Sequence, residues 1–324
     1  MNSTERQNPF ADCVDIEHIL KTSPPPQDHV LPGLLAGSAG MIVGPGGVGK
    51  TMLELQISLA IASGEVICGG LFKSDAADAP VAPKSGKVVL VTAEESLDVI
   101  WHRLHAIVST LARNSRLRCD HKSPSDMLAL WKENLHIFPM SGQPPVQLMD
   151  CGFVRTQAFS QLAAACEGAR LVLLDPIRQF HQCDENDSGA MTAMVQTFQM
   201  LAKRTGAAVV GAHHTNRASA NLGLGDTAGA SRGSTALTDG VRWQMNLSNL
   251  TKETARQRNV TEDERTRFMM VDIAKANYLP RQRSVMLERL AGGVLALAEG
   301  DTEESGPCRR QRASTRKSLA GAKP

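Results

Sequence analysis

The stretch GPGGVGKT, Gly44 to Thr51, is half glycine and closes on a lysine followed by a hydroxyl. It stands between an apolar run, MIV, and a run with helical spacing, MLELQISLAIAS. In that setting glycines let successive backbone N–H groups turn towards one point, and the start of the helix adds its positive dipole end. The chemistry is phosphate binding, and the match to GxxxxGK[ST] with a strand before and a helix after is specific. Gly44, Pro45, Gly46, Gly47, Val48, Gly49, Lys50, Thr51 and Met52 are therefore assigned to ATP, with Lys50 on the β and γ phosphates and the Thr51 hydroxyl on Mg²⁺.

A nucleotide site of this kind needs a carboxylate on its metal side. RLVLLD supplies one, because four apolar residues keep the run buried and Asp175 emerges at its C-terminal end, where ligands bind in open parallel sheets. Hydrolysis also needs a group to orient water. VVLVTAEES ends in Glu94 and Glu95, and Glu94 is the favoured base, on a strand tip read as lying next to the phosphate loop, with Glu95 left to solvent or to capping the next helix. AAVVGAHHTN ends at His213 and His214, where a polar side chain can sense the γ phosphate; His214 is taken for that role. A metal pair there is disfavoured, since adjacent strand residues point to opposite faces. His102 and His105 in WHRLH have a spacing that fits a metal but read better as a half-buried helix face. The Met-rich runs MM and MVQTFQM read as core.

The elements that must position these groups follow from periodicity. Short β-rich runs alternate with longer helical ones: GMIV, a helix from Lys50, KVVLVTA, a helix from Leu97, LHIF, a helix from Phe153, RLVLLD, a helix from Gly189, AAVVGAH. That is the signature of βαβ units. VRWQMNLSNL, RFMMVDIAKANY and SVMLERLAGGVLALA then read as antiparallel strands, the last a hairpin turning on Gly292 and Gly293. The fold class is α/β: a mostly parallel sheet flanked by helices, extended by C-terminal antiparallel strands. Residues 1–26 read as an arm, with the short amphipathic CVDIEHILK and a stiff PPP hinge; 27–298 form one ATPase domain; 299–324 are a basic, disordered tail. Lys73 to Lys87 reads as a surface insertion, and Thr215 to Ser234 as a long loop without apolar periodicity, the kind that carries function.

Composition narrows the class. The 324 residues are 42% hydrophobic, enough for a core without staples, and the seven cysteines are scattered and never spaced CxxC. No run approaches the roughly 18 apolar residues of a membrane span, so a soluble protein of the reducing cytoplasm is expected, with no membrane partner. The formal net charge is +2, with the excess beyond Glu299. A neutral body can grip nucleic acid only locally, on loops or in a channel.

PPPQDHVLPGLLAGSAGMIVGPGGVGKT, VTAEES, HRLHAI, RLVLLDPIRQFH, AHHTN, ASRGSTALTDGVRWQ and KANY, in this order, resemble the RepA-type hexameric replicative DNA helicases of IncQ-like plasmids, members of the RecA/DnaB-like P-loop ATPases. The resemblance covers about Pro24 to Leu297 and leaves out the arm, the insertion and the tail. It implies a RecA-like fold, a homo-hexamer with ATP between neighbours, and single-stranded DNA through the centre, together with other replication proteins. Arg242 matches the position of a cation donated to the neighbour's γ phosphate, Lys275 matches a strand-end lysine used in trans, and Arg232 is a third contender. Arg217 and Arg232, the cations of the Thr215 to Ser234 loop, are the expected DNA contacts, made to phosphate because the loop has no aromatic residue. The competing class is a protein that uses bound ATP as a switch for DNA or partner binding without translocation. A metabolic kinase fits poorly, since nothing resembles lid arginines or an acceptor pocket.

Overall fold

The computed structural model describes residues 13–72, 81–114, 117, 122–214, 236–279 and 282–299. Strands β3 (Ala39–Gly44), β4 (Lys87–Thr92), β5 (Leu135–Pro139), β6 (Ala169–Asp175), β7 (Ala208–His214), β8 (Trp243–Asn249), β9 (Phe268–Ala276), β10 (Val285–Arg289) and β11 (Leu295–Leu297) form one sheet in the order β11-β10-β9-β8-β3-β7-β6-β4-β5. From β8 to β5 every pairing is parallel; from β8 to β11 every pairing is antiparallel. The first strand of the C-terminal set is thus a hinge between the two regimes rather than an antiparallel strand alone. A hairpin, β1 (His29–Leu31) and β2 (Leu34–Leu35), precedes the sheet.

Apolar side chains alternate along the parallel strands and divide the core into two layers. Ile42, Val88, Leu90, Leu171, Leu173 and Val210 face one layer with α2 (Lys50–Ser63), α3 (Leu97–Arg113) and α4 (Pro124–Asn134). Met41, Val43, Val89, Val91, Val172 and Val209 face the other, with α5 (Gln157–Ala165), α6 (Ser188–Thr205) and α7 (Ala236–Gly240). In α2 every residue but Thr51 is buried, as expected of a helix apolar around most of its circumference. Gln56 of α2 closes the layer by bonding both backbone groups of Leu295, at 2.8 Å each, which fastens β11 to the helix behind the phosphate loop.

Several expectations are corrected. The strand bearing Glu94 is not next to that of the phosphate loop: β7 and β6 lie between them. A separate helix, α4, opens with a capping box at Ser123 and Asp126, and α5 begins at Gln157 rather than near Phe153. His102 and His105 are exposed, not half-buried. Among the described residues no cluster of His, Cys, Asp and Glu could hold a metal ion. Met269 and Met194 are core, but Met200 is 46% exposed, because it falls on the outer face of α6. Among the described residues no helix is long and apolar enough to cross a membrane.

Gly211, at the centre of β7, shows how tightly the site's support is packed. A Cβ there would lie 2.5 Å from Ile177 Cγ1 and 2.6 Å from Phe198 Cε2, so the turn that follows Asp175 rests directly on the backbone. Gly211→Ala is expected to lower stability by about 1–3 kcal/mol through overpacking, to be read from urea unfolding.

Candidate functional site

The site lies at the C-terminal end of the parallel strands, where β3 runs into the loop 45–49 and α2 begins. Gly47 and Gly49 have φ of 74° and 107°, the left-handed region that side chains disfavour, and these two residues turn the chain back into the helix. A Cβ at Gly46 or Gly47 would meet nothing within 4 Å, so both glycines border open space.

Lys50 is 6% exposed, and its Nζ donates to the carbonyls of Gly44 (2.9 Å) and Pro45 (3.0 Å) and lies 3.2 Å from His214 Nδ1. Burial pulls its pKa below the ordinary lysine value, while the carboxylates of Asp175, Glu54 and Glu94 oppose that shift. The Thr51 hydroxyl donates to Asp175 Oδ2 at 2.7 Å, across the sheet from α2 to the end of β6. A hydroxyl and a buried carboxylate in contact, beside a loop of open N–H groups and an enclosed lysine, are a donor set that fits Mg²⁺ and a phosphate chain.

Glu94 and Glu95 follow β4, which is joined to β6 in register, Thr92 opposite Asp175, with Ala93 N donating to the Asp175 carbonyl at 2.7 Å. The two acids are treated differently. Glu95 is bound by Arg103 at 2.5 Å, so Arg103 holds a neighbour of the base candidate in place. Glu94 is hydrogen-bonded to Gln179; burial and the nearby Asp175 charge hold its carboxyl above the usual range, against the Gln179 bond and the Lys50 charge. A carboxylate with raised basicity, not tied up in an ion pair, is suited to take a proton.

The remaining assigned residues divide into two groups. His214 is at the site, next to Lys50. Arg242 and Lys275 are at the opposite end of the sheet. Trp243 pairs with Gly40 in parallel register, so Arg242 sits beside the start of β3, roughly 16 Å along the strand from the phosphate loop. Lys275 pairs with Gln244, and its Nζ donates to the carbonyls of Thr238 (2.9 Å) and Asp239 (3.1 Å), near enough to Arg242 for the two charges to repel. Arg242 is exposed, and among the described residues its guanidinium makes no hydrogen bond or ion pair. Arg217 and Arg232 lie outside the described residues.

Three residues of the site escaped the sequence reading. Glu54, one turn beyond Lys50 on α2, is 1% exposed and hydrogen-bonded to Asp175; burial, reinforced by Asp175, pushes its pKa well above the ordinary carboxylate value. An acid four residues after the lysine in an otherwise apolar helix was the available signal. Gln179 lies in the turn after Asp175 and had none. Arg289 of β10 donates to the carbonyls of Val48 (2.9 Å), Thr266 (2.7 Å) and Phe268 (2.9 Å), tying the phosphate loop to the antiparallel strands.

Comparison with known proteins bears on the fold. The family model described as an AAA domain matches residues 4–220. Among solved structures, the chain is similar to the ATPase domain of G40P, with a TM-score of 0.52 and 15% identity over 82% of this chain and 86% of that one. It is also similar to a DnaB-like replicative helicase studied with its interactions with primase, with a TM-score of 0.51 and 15% identity over 82% of this chain; it spans 59% of the length of that one. At this identity the likeness is one of fold, and the fold is that of the RecA-like P-loop NTPases.

The raised pKa of Glu54 has a measurable consequence. In the unfolded chain it loses its proton near the ordinary value, about 4.5, whereas the folded chain holds it to a higher pH, so above that value the unfolded state binds fewer protons and stability falls as pH rises. Glu54→Gln keeps a donor towards Asp175 without that proton. Its thermal midpoint is expected to exceed the parent's by a margin that grows from pH 5 to pH 8; a margin independent of pH would contradict a buried neutral acid.

Proposed function

The chain belongs to the AAA-domain family, and from that premise we propose that it is an ATP-driven motor that assembles as a ring and moves on single-stranded DNA, as the replicative helicases its sequence resembles do. The observation that carries this reading is the separation of the two halves of the chemistry. One copy presents the phosphate loop, Thr51, Asp175 and Glu94 at one end of its sheet, and Arg242 with Lys275 at the other. The second pair cannot serve the first group in the same copy, whereas a neighbour packed head to tail brings them together.

In this reading the N–H groups of the loop bind the phosphates, and Lys50 exchanges the carbonyls of Gly44 and Pro45 for phosphate oxygens. Thr51 and Asp175 would hold Mg²⁺, which supplies charge neutralisation at the terminal phosphoryl group. Glu94 orients a water and accepts its proton. Arg242 is the better candidate for the donated cation, since Lys275 is already spent on helix carbonyls; a finger of this kind contributes about 10³ to 10⁵ in rate. His214 connects the γ-phosphate position to the Thr215 to Ser234 loop, through which Arg217 and Arg232 would meet the DNA backbone.

Purified protein is expected to show ATPase activity stimulated by single-stranded DNA and rising with protein concentration. Lys50→Ala should lose both hydrolysis and unwinding of a forked duplex. Mixing Lys50→Ala copies with Arg242→Ala copies should restore part of the turnover, because each mixed interface of one orientation has an intact loop and an intact cation. Full-rate turnover by isolated copies at high dilution would end the reading. Glu94→Gln separates a motor, which stalls, from a switch that needs only bound ATP and keeps its output.

A further inference from the structure

Two of the cysteines that look scattered in the sequence meet in the folded chain. Cys151 is exposed, Cys183 is only 8% exposed, and the two thiols are in hydrogen-bonding contact. Backbone bonds hold each side of this contact. Cys151 sits in a tight turn in which Phe153 N donates to the Asp150 carbonyl (3.0 Å), Val154 N to Asp150 Oδ1 (2.8 Å) and Asp150 N to the Val154 carbonyl (2.9 Å). The segment leading into that turn is fastened to the segment leading to Cys183 by Leu148 N, which donates to the Phe180 carbonyl at 2.9 Å, and both of these side chains are buried in the same core layer. On the other side Arg178 Nη1 donates to the carbonyls of His181 (3.5 Å) and Cys183 (3.3 Å), which closes residues 178–183 into one unit.

The surroundings sort the two sulfurs by chemistry. Burial pushes the Cys183 thiol above its usual range, and the adjoining Cys151 with the Asp187 and Asp150 carboxylates adds to the shift. Its sulfur therefore keeps its proton and is hidden from solvent. Cys151 is the member of the pair that a dissolved oxidant can reach. Elsewhere among the described residues Cys68 and Cys166 are buried, 3% and 0% exposed, with burial raising both thiols, and Cys13 stands ahead of the arm helix α1 (Ile16–Lys21).

We propose that Cys151 and Cys183 are an oxidation site, in which a peroxide oxidises Cys151 and Cys183 closes a reversible disulfide on it. The Cys151 sulfur attacks one peroxide oxygen, the O–O bond breaks, and a sulfenic acid and one water result. The Cys183 sulfur then attacks Cys151 Sγ; the S–S bond forms, and the hydroxyl leaves with the Cys183 proton as a second water. Two thiols lose two electrons and two protons, and one hydrogen peroxide becomes two waters. A small thiol reverses the bond by exchange.

The bond has a route to the nucleotide site. Gln179, which hydrogen-bonds Glu94, belongs to the same 178–183 unit as Cys183. A covalent link holds two sulfurs closer than a thiol contact does, so oxidation draws this unit towards the 150–153 turn and loosens the Gln179 hold on Glu94. That effect on turnover rests on the role proposed above for Glu94, whereas formation of the bond does not.

The test takes full-length reduced protein, exposes it to hydrogen peroxide, blocks free thiols and maps the peptides by mass spectrometry without reductant. A linked pair of peptides carrying Cys151 and Cys183, separated again by dithiothreitol, is expected. In Cys183→Ser the sulfenic acid persists, and dimedone should label Cys151. ATP turnover should fall about tenfold on oxidation, the worth of one hydrogen bond to a charged group, and recover with dithiothreitol. Cys151→Ser, at an exposed position outside the site, should turn over ATP like the reduced parent and ignore peroxide. Both thiols left free by peroxide, or Cys151 linked to any other cysteine, would overturn the pair. A Cys151–Cys183 bond with parent-like turnover would overturn its effect on Glu94. A reduced parent without ATP turnover would overturn the function proposed above, and the peptide map would still decide the pair.

Discussion

The structure turns on keeping one positive charge, that of Lys50, in a place almost closed to water. Desolvation works against it, and the surroundings answer with two peptide oxygens, a histidine nitrogen and the acids Asp175, Glu54 and Glu94. Burial raises the pKa of one of them, Glu54, while Asp175 accepts the Thr51 hydroxyl beside the loop. The arrangement is one of partial satisfaction. Carbonyls are adequate partners for an ammonium group but weaker than phosphate oxygens, so the lysine is held ready and not immobilised. The fold serves that arrangement, since β3, β6 and β7 bring the loop, Asp175 and His214 to one end of the sheet, and the bare backbone at Gly211 lets the turn after Asp175 lie close.

Much of the site was readable from the chain because its signals are local. The glycine-lysine loop carries its own geometry, and an aspartate ending a fully apolar run sits at a strand's carboxyl end in any parallel sheet. Glu94 was preferred to Glu95 on position alone; the ion pair between Glu95 and Arg103 gives a physical ground for the preference. Strand order was less accessible. That two strands separate β4 from β3 is a property of crossover connections, which periodicity does not encode, and the turn of β8 from parallel to antiparallel partners depends on its neighbours. Glu54 escaped for another reason: in a helix buried on nearly every side, spacing cannot say which residue faces the metal side.

The two ends of the sheet differ. At one end stand the phosphate loop, Thr51, Asp175 and Glu94, at the other the two cations Arg242 and Lys275, with Asp239 acting on Lys275. Lys275 donates to the carbonyls of Thr238 and Asp239 in α7, where a helix carries partial negative charge. Arg242 is exposed to solvent.

Arg289 gives the antiparallel half of the sheet a meaning beyond extra core. Its guanidinium is the shared clasp of three peptide oxygens, one of them from the phosphate loop itself. Since a planar fork cannot bend to follow one carbonyl without leaving the others, displacement of the loop at Val48 must be felt at Thr266 and Phe268. The outer strands are thereby tied to the position of the loop.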